Sequence, residues 1–376
     1  MVGCSSGGGG TSGGGEGTLS LSLTDAPADR YWAVYVTIKE VQVHLSGNEN
    51  SPNNWKSIEQ FEGPKTVNLL ELVNGVREEL GLVSLPAGHY TQMRLIVGRE
   101  PDNSINLLSQ AHPFANYVIE KGDPANIHEL KVPSGYQTGV KIVRGFDISA
   151  DETTELMLDF DAGRSVVQAG ASGKWLLKPT IRVVDVDEYA IVNGTITAAG
   201  GITPIPGAMV SLQVCDLDET LDPKDQVKVV AATITDENGG YQLFVEPDDY
   251  NLVVYAAGKK VGFREIGVEE GPWLTEDMAL ETVGEGKVSG KVTIVGAEPE
   301  EQYATLSFRQ DIGQNNSPNL IEIQSVNILN GYEYEISLPI NGYYTIVGSS
   351  FGYESEKYPI HNATDVFEQD VNFGES

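Results

Sequence analysis

The chain has 376 residues, and its 54 acidic and 24 basic side chains give a formal net charge of −30. This length allows about two to four domains, and an apolar content of 40% is enough to bury real cores. The negative charge argues against nucleic acid and anionic membrane surfaces as partners, because both repel an acidic protein. The 42 glycines, set among short apolar alternations, favour many short strands over helices.

The start of the chain, residues 1–16, predicts a membrane tether. Val2-Gly3-Cys4 resembles the end of a bacterial lipobox, in which small residues precede the cysteine that is lipidated. A Gly/Ser tract follows, and such a flexible coil would lift a domain clear of a lipid surface. Ser5 resembles the outer-membrane sorting pattern. We therefore expect an extracytoplasmic protein, lipid-anchored through Cys4 in the outer membrane or at the cell surface of a bacterium. The alternative is an incidental cysteine in a disordered leader.

Residues 17–187 are expected to form one larger β-sandwich. A long strand pattern extends over 34–45, and its apolar parity flips between Ile38 and Val41. A strand keeps one face buried across such a flip only with an extra residue, so the pattern predicts a β-bulge near Lys39-Glu40.

A second strand of this module has two chemically different faces. A period of two separates its apolar residues from its acidic ones. The apolar residues are Leu156, Leu158 and Phe160, and the acidic residues are Glu155, Asp159 and Asp161. Three carboxylates on one face could coordinate Ca²⁺, which takes six to eight oxygen ligands. The simpler interpretation is a solvated outer face, and we expect screening of charge repulsion rather than a specific metal site.

Seven short motifs in this module occur in a fixed order: SLTDAP, the W-x-x-I of Trp55 to Ile58, VNLLEL, LPAGHYTQMRL, PSGYQTGVK, LDFDAGRSV and LLKPTIRVV. Together they resemble the bacterial and archaeal lipoprotein domain of unknown function 4382. The resemblance implies an architecture and a location, since that family carries no established activity.

A second module is expected over residues 190–283. VNGTI, PIPGAMVSL, TITDENGGY and VEPDDY occur in order and resemble the carboxypeptidase regulatory-like domain, a small transthyretin-like β-sandwich. The resemblance implies a non-catalytic accessory domain. The corner Pro247 to Tyr250 departs from the usual P-G-x-Y pattern, because it lacks the glycine.

Residues 286–376 resemble a divergent second copy of this sandwich, with VSGKV as its opening strand and LPINGY as its corner. The expected fold class is thus all-β, with one larger sandwich followed by two small transthyretin-like or immunoglobulin-like sandwiches. A Pro-led corner recurs in each module, which predicts that Tyr90, Tyr250 and Tyr343 are buried and hydrogen-bonded to nearby backbone. The repetition also suggests successive modules arranged as beads on a string.

Few residues point to chemistry. The G-x-S-x-G pattern occurs at 3–7 and 10–14, within the Gly/Ser tract, and at 348–352, but none of these is a nucleophile elbow between a strand and a helix. The sequence contains no HExxH motif, and the five histidines lack metal-ligand spacing. The acidic loop 215–225 fits a hydrated hairpin better than a calcium cage, and Cys215 is expected to be a buried, inert thiol. Trp273 is the best candidate for an exposed platform for sugar rings, whereas Trp55 and Trp175 are expected in cores.

The sequence therefore predicts a non-enzymatic surface or outer-membrane lipoprotein that acts as a binding, adhesion or scaffold module without a cofactor. Its partners would be the membrane through Cys4 and possibly a glycan or another surface protein. Two alternatives stay open: a carbohydrate-binding lipoprotein that uses sandwich-surface aromatics, and a calcium-stabilised extracellular module.

Overall fold

The structure is a computed structural model. It describes residues 15–26, 31–45, 55–58, 63–132, 139–142, 144–169, 174–186, 189–269, 271, 273–296, 302–313, 318–340, 342–361 and 366–374. Within these residues the chain is built almost entirely from strands, so the expected all-β class is confirmed.

The first module contains fourteen strands. They are β1 (Glu16–Ala26), β2 (Tyr31–Leu45), β3 (Trp55–Ile58), β4 (Lys65–Asn68), β5 (Glu78–Pro86), β6 (Gly88–Val97), β7 (Tyr117–Glu120), β8 (Ile127–Lys131), β9 (Val140–Ile142), β10 (Phe146–Ile148), β11 (Thr153–Asp161), β12 (Val166–Ala169), β13 (Lys174–Leu177) and β14 (Ile181–Asp185). One sheet has the order β14-β11-β1-β5, and the facing sheet contains β10-β6-β2-β7-β8-β13-β12. Their inner faces share one core, as expected for a sandwich.

Two local predictions for this module are confirmed. The pairing of β2 with β6 shifts register between Ile38 and Glu40, where the parity flip predicts a bulge. Leu156, Leu158 and Phe160 of β11 are buried in the core, on the face that the alternation assigns to them. A 3₁₀ turn lies at Leu69–Glu71.

The second module has eight strands in two sheets around a separate core. They are β15 (Ala190–Ala198), β16 (Met209–Cys215), β17 (Val227–Ile234), β18 (Gly240–Val245), β19 (Asp248–Tyr255), β20 (Gly262–Val268), β21 (Leu274–Thr275) and β22 (Met278–Leu280). One sheet has the order β18-β15-β21, with β22 also on β15, and the other has the order β17-β16-β19-β20. A 3₁₀ turn, Pro223–Gln226, precedes β17.

The third module repeats the two-sheet plan with its own core. Its strands are β23 (Glu285–Ile294), β24 (Tyr303–Asp311), β25 (Leu320–Leu329), β26 (Glu333–Pro339), β27 (Tyr343–Ser350), β28 (Glu356–His361), β29 (Val366–Glu368) and β30 (Val371–Phe373). β23 lies between β26 and the short strands β29 and β30, opposite the sheet β25-β24-β27-β28. The limits of the three domains themselves stay a prediction.

The arrangement as beads on a string is wrong for the described residues, because the modules pack against one another. β12 of the first module pairs in parallel with β25 of the third at Gln168 and Ile328, so their sheets are continuous. Met157 and Val184 of the first module form a buried cluster with Phe244 of the second. Such packing removes apolar surface from water between modules, which a flexible string would leave exposed.

The tyrosine corners are confirmed in two modules and shifted in the third. Tyr90 and Tyr250 are buried, and their hydroxyls donate to the carbonyls of Pro86 (3.0 Å) and Glu246 (2.8 Å). Burial raises the pKa of Tyr250 to about 12.

In the third module the predicted corner residue is wrong by one position. Tyr343 is 70% exposed, whereas Tyr344 is 3% exposed and donates to the carbonyl of Pro339 at 2.7 Å. This corner spans one residue more than the other two, and the extra residue reverses which of two successive side chains points inward. Gly342 accommodates the ring, because a Cβ there would collide with the Tyr344 side chain.

We predict that Tyr344→Phe lowers the free energy of unfolding by about 1 kcal/mol, because a buried carbonyl loses its donor. Tyr343→Phe is the matched control and should change it by no more than a few tenths of a kcal/mol. Urea denaturation followed by far-ultraviolet circular dichroism gives both values. Equal destabilisation by the two variants would contradict the shifted corner.

Candidate functional site

The acidic face of β11 is only partly exposed: the side chain of Glu155 is 44% exposed, and those of Asp159 and Asp161 are 13% and 24% exposed. Met157 shares this face with the carboxylates and is buried against Val184 and Phe244. The second module therefore covers part of the face that the sequence predicts as an outer surface. The guanidinium of Arg77 stacks on the Phe244 ring at 4.7 Å from its centre, at the same interface.

Each carboxylate of β11 is engaged by an arginine. Glu155 accepts from Arg77 at 2.9 Å, and Asp159 accepts from Arg182 at 2.7 Å. Asp161 caps the short helix α1 (Ala162–Ser165) by accepting from the N–H of Arg164 at 2.8 Å. Within the described part of the chain, no three His, Cys, Asp or Glu side chains are grouped so that they could hold a metal ion. The structure thus places these carboxylates in ion pairs and a helix cap, and a calcium site among them stays a prediction.

Two buried charged side chains of the third module, Arg309 and Glu322, lie where the three modules meet. Arg164 of the first module donates to Glu322 Oε1 at 2.6 Å, and Ser307 donates to Oε2 at 2.6 Å. The same segments are joined again by Asn327, whose amide donates to the Arg164 carbonyl at 2.6 Å.

The second module joins this network through backbone and amide groups. Gln213 and Glu322 exchange two hydrogen bonds, from Gln213 Nε2 to the Glu322 carbonyl (2.7 Å) and from the Glu322 N–H to Gln213 Oε1 (2.8 Å). Arg309 donates to Ser307 Oγ and to the carbonyls of Pro223 and Lys224. We call the set Arg164, Gln213, Ser307, Arg309 and Glu322 the three-module junction.

Electrostatics at the junction follow from burial and pairing. Burial alone would raise the pKa of Glu322, but Arg164, Ser307 and Arg309 together hold it below its ordinary value. Glu322 in turn raises the pKa of Arg164. The pKa of the neighbouring Asp161 shifts in the opposite direction. Burial raises this pKa more than the positive charge of Arg164 lowers it, and the result is a pKa of about 6. The junction therefore holds an ionised Glu322 between two cationic arginines.

The remaining predicted site residues are not members of the junction, although Cys215 borders it and its sulfur accepts from the N–H of Leu320 at 3.2 Å. Trp273 is 61% exposed, while Trp175 is buried and Trp55 is half-buried with Arg94 stacked on its ring at 3.8 Å. Cys215 is half-buried, and burial raises the pKa of its thiol. Cys4 lies outside the described residues. Among the described residues, no helix has the length and apolar character to cross a membrane.

Sequence reasoning missed a Ser-His-Asp cluster in the first module. Ser104 Oγ donates to Asp102 Oδ1 at 2.6 Å and lies 3.0 Å from His112 Nε2, while His112 Nδ1 lies 2.8 Å from the Tyr117 hydroxyl. In a nucleophilic triad the carboxylate binds the imidazole nitrogen that faces away from the serine. Here a tyrosine occupies that position, and the carboxylate binds the serine itself. The cluster fastens a loop, and no spacing rule would have revealed it.

One family model matches the chain, over residues 16–179, and its description is "Domain of unknown function (DUF4382)". It covers the first module, in agreement with the resemblance of its seven motifs. No family model matches the second module, so its resemblance to the carboxypeptidase regulatory-like domain stays a prediction. No curated protein matches the chain.

Three solved structures resemble the chain only weakly. The Bacillus anthracis TIE protein is 15% identical with a TM-score of 0.21, and the alignment covers 96% of this chain and 51% of that protein. A streptococcal ancillary pilin is 12% identical with a TM-score of 0.22, over 96% of this chain and all of that one. The shaft pilin SpaA of Lactobacillus rhamnosus GG is 10% identical with a TM-score of 0.20, over 50% and 98%. The chain thus spans about half the length of the TIE protein, and these scores are too low to support conclusions about fold or function.

We predict that Glu322→Gln destabilises the protein by about 2–3 kcal/mol, because the buried Arg309 loses a nearby negative charge and Arg164, which is 32% exposed, loses one of its two carboxylate partners. The control is Glu335→Gln, which removes the exposed ion pair with Lys287 (2.6 Å) and should cost no more than about 1 kcal/mol. Differential scanning calorimetry measures both. Similar small losses in the two variants would show that the junction contributes little.

The raised pKa of Asp161 predicts a pH effect of defined sign. Because the folded state favours the protonated carboxyl, the stability from this group is present below pH 4 and is lost as the pH rises through about 6. Asp161→Asn does not titrate, so its stability relative to the parent should rise by roughly 1–3 kcal/mol between pH 4 and pH 7. Urea denaturation across this range measures the difference, and a difference that stays constant with pH would contradict the prediction.

Proposed function

We propose that this protein is a non-enzymatic, extracytoplasmic lipoprotein that acts as a binding or scaffold module. The observation that carries the proposal is the three-module junction, in which charged side chains join three β-modules rather than line a cleft. Modules fixed in this way present their surface loops at constant relative positions. That property suits a protein that holds or displays contacts for a partner, and it supports a scaffold role over a flexible linker role.

The membrane tether is part of the same proposal. Its support is the order of Val2-Gly3-Cys4 and the Gly/Ser tract that follows. A net charge of −30 gives the folded body no electrostatic attraction to an anionic lipid surface, so attachment would depend on the anchor.

We predict that Cys4→Ser moves the protein from the membrane fraction to the soluble fraction when it is expressed behind a lipoprotein signal peptide. The matched control is Cys215→Ser, which changes the other cysteine of the chain and should leave the protein in the membrane fraction. Fractionation with immunoblotting gives the distribution, and protease treatment of intact cells reports surface exposure. A Cys4→Ser variant that stays membrane-bound would refute the tether.

Glycan binding is a second candidate, favoured by the exposure of Trp273. An exposed indole ring can stack on the apolar face of a sugar, and tryptophan gives the largest contact area for such stacking.

For this candidate we predict that Trp273→Ala lowers the affinity at least about tenfold for any oligosaccharide that the parent protein binds on a glycan array. Trp32→Ala is the control, because Trp32 is also exposed but lies in the first module. Absence of glycan binding by the parent, or equal loss in both variants, would exclude Trp273 as a sugar platform.

A further inference from the structure

The connection between β6 and β7, residues 98–116, is long but internally ordered. Connections longer than about 12–15 residues without regular structure are uncommon in compact domains and usually functional. This one folds on itself through a bridge between Ile105 and Ala111. The buried side chain of Asn106 accepts from the N–H groups of Leu108 (3.0 Å) and Gln110 (3.2 Å). We call residues 98–116 the β6–β7 loop.

Buried polar groups fasten this loop to the first sandwich. The N–H of Leu107 donates to the Tyr35 hydroxyl at 2.7 Å. Asn116 accepts from the N–H of Thr37 and donates to the carbonyl of Gly98, both at 3.0 Å. His112 adds its contacts with Ser104 and Tyr117. The loop is therefore held in place before any partner arrives, and binding would not need to order it.

The loop presents apolar side chains outward from this rigid base. Among the described residues twelve large apolar side chains are exposed, and three of them, Ile105, Leu107 and Phe114, lie within this one loop. Ile105 is 66% exposed. Scattered exposed apolar residues are ordinary, but a cluster on an ordered loop indicates a contact surface.

A cleft of about 370 Å³ opens beside Ile105 and Leu107. Its charged lining residues are Lys65, Glu71 and Glu78, of which Lys65 forms an ion pair with Glu78. With two carboxylates and one ammonium group, the charged residues that line the cleft carry a net negative charge. The cleft thus combines apolar side chains with a negative field on a strongly acidic protein.

We propose that the β6–β7 loop and this cleft form a docking surface for a segment of a partner protein in which apolar side chains stand next to lysine or arginine. The apolar side chains would pack on Ile105 and Leu107, and the cation would lie near Glu71. Charge complementarity selects this partner, since an acidic segment would be repelled by both the cleft and the chain as a whole. The proposal rests on the proposed binding function and names its surface.

The probe for the test is a short fluorescein-labelled peptide of alternating leucine and lysine, titrated with the full chain and followed by fluorescence anisotropy. The charge control is the same peptide with glutamate in place of lysine, and the apolar control has serine in place of leucine. We expect the leucine–lysine peptide to bind at least about tenfold more tightly than either control, and its affinity to fall as salt is added.

Variants locate the binding. Ile105→Ser combined with Leu107→Ser should weaken the leucine–lysine peptide at least about tenfold, because contact residues at the centre of an interface carry most of its affinity. The matched control is Ile202→Ser, which removes an 87% exposed apolar side chain in the second module and should have no effect. Glu71→Gln should weaken binding and reduce its dependence on salt. Melting curves check that each variant is folded.

Several outcomes would overturn the proposal: no preference for the leucine–lysine peptide, equal weakening by Ile202→Ser, or binding unchanged in the double variant. Self-association lost in the double variant, measured by sedimentation velocity, would make a second copy of the chain the occupant and also overturn it. Membrane fractionation of the Cys4 variants is independent of this loop. A failure here with an intact tether would therefore refute the docking surface and leave the proposed lipoprotein function standing.

Discussion

The contact between Arg164 and Glu322 is the constraint on which the arrangement of the modules depends. It joins residues 158 positions apart at a distance of 2.6 Å, where the Glu322 side chain is 9% exposed and the Arg164 side chain is 32% exposed. A buried ion pair gives little net stability over apolar packing, but it is strongly unfavourable when one partner is missing. A different placement of the modules would separate Glu322 from Arg164. The junction therefore favours the observed arrangement of the three modules.

The carboxylates of β11 are paired with arginines close to the contacts between the modules. Arg77, Arg182 and Arg164 belong to three different segments of the first module, and each engages a different carboxylate of β11. Arginine suits this role because its planar guanidinium donates in several directions while remaining charged. The carboxylates that make the strand resemble a cation site pair with arginines of the first module. Two of those arginines also contact the other modules, since Arg77 stacks on Phe244 and Arg164 donates to Glu322. Surface features outside the junction, such as Trp273 and the β6–β7 loop, are then held in fixed relation to one another.

Much of the local structure follows from sequence patterns. Period-two alternation is a property of the extended backbone itself, so it correctly identifies the inner face of β11 and the bulge in β2. The corners at Tyr90 and Tyr250 are equally local, because each ring bonds a carbonyl four residues earlier in the chain. The corner of the third module escapes the same reasoning, since a single additional residue transfers the inward position from Tyr343 to Tyr344.

The sequence by itself determined the all-β class, the alternation of each strand and the motifs of the first module, because these depend on neighbours along the chain. Only the tertiary structure decided what covers each face. Alternation marks Glu155, Asp159 and Asp161 as lying opposite the core, yet it carries no information about Phe244, which arrives there from another module. The partners of Glu322 and the anchoring of the β6–β7 loop are likewise contacts between distant segments. Such contacts arise from the packing of whole sheets, in which shape and buried charge must be satisfied together.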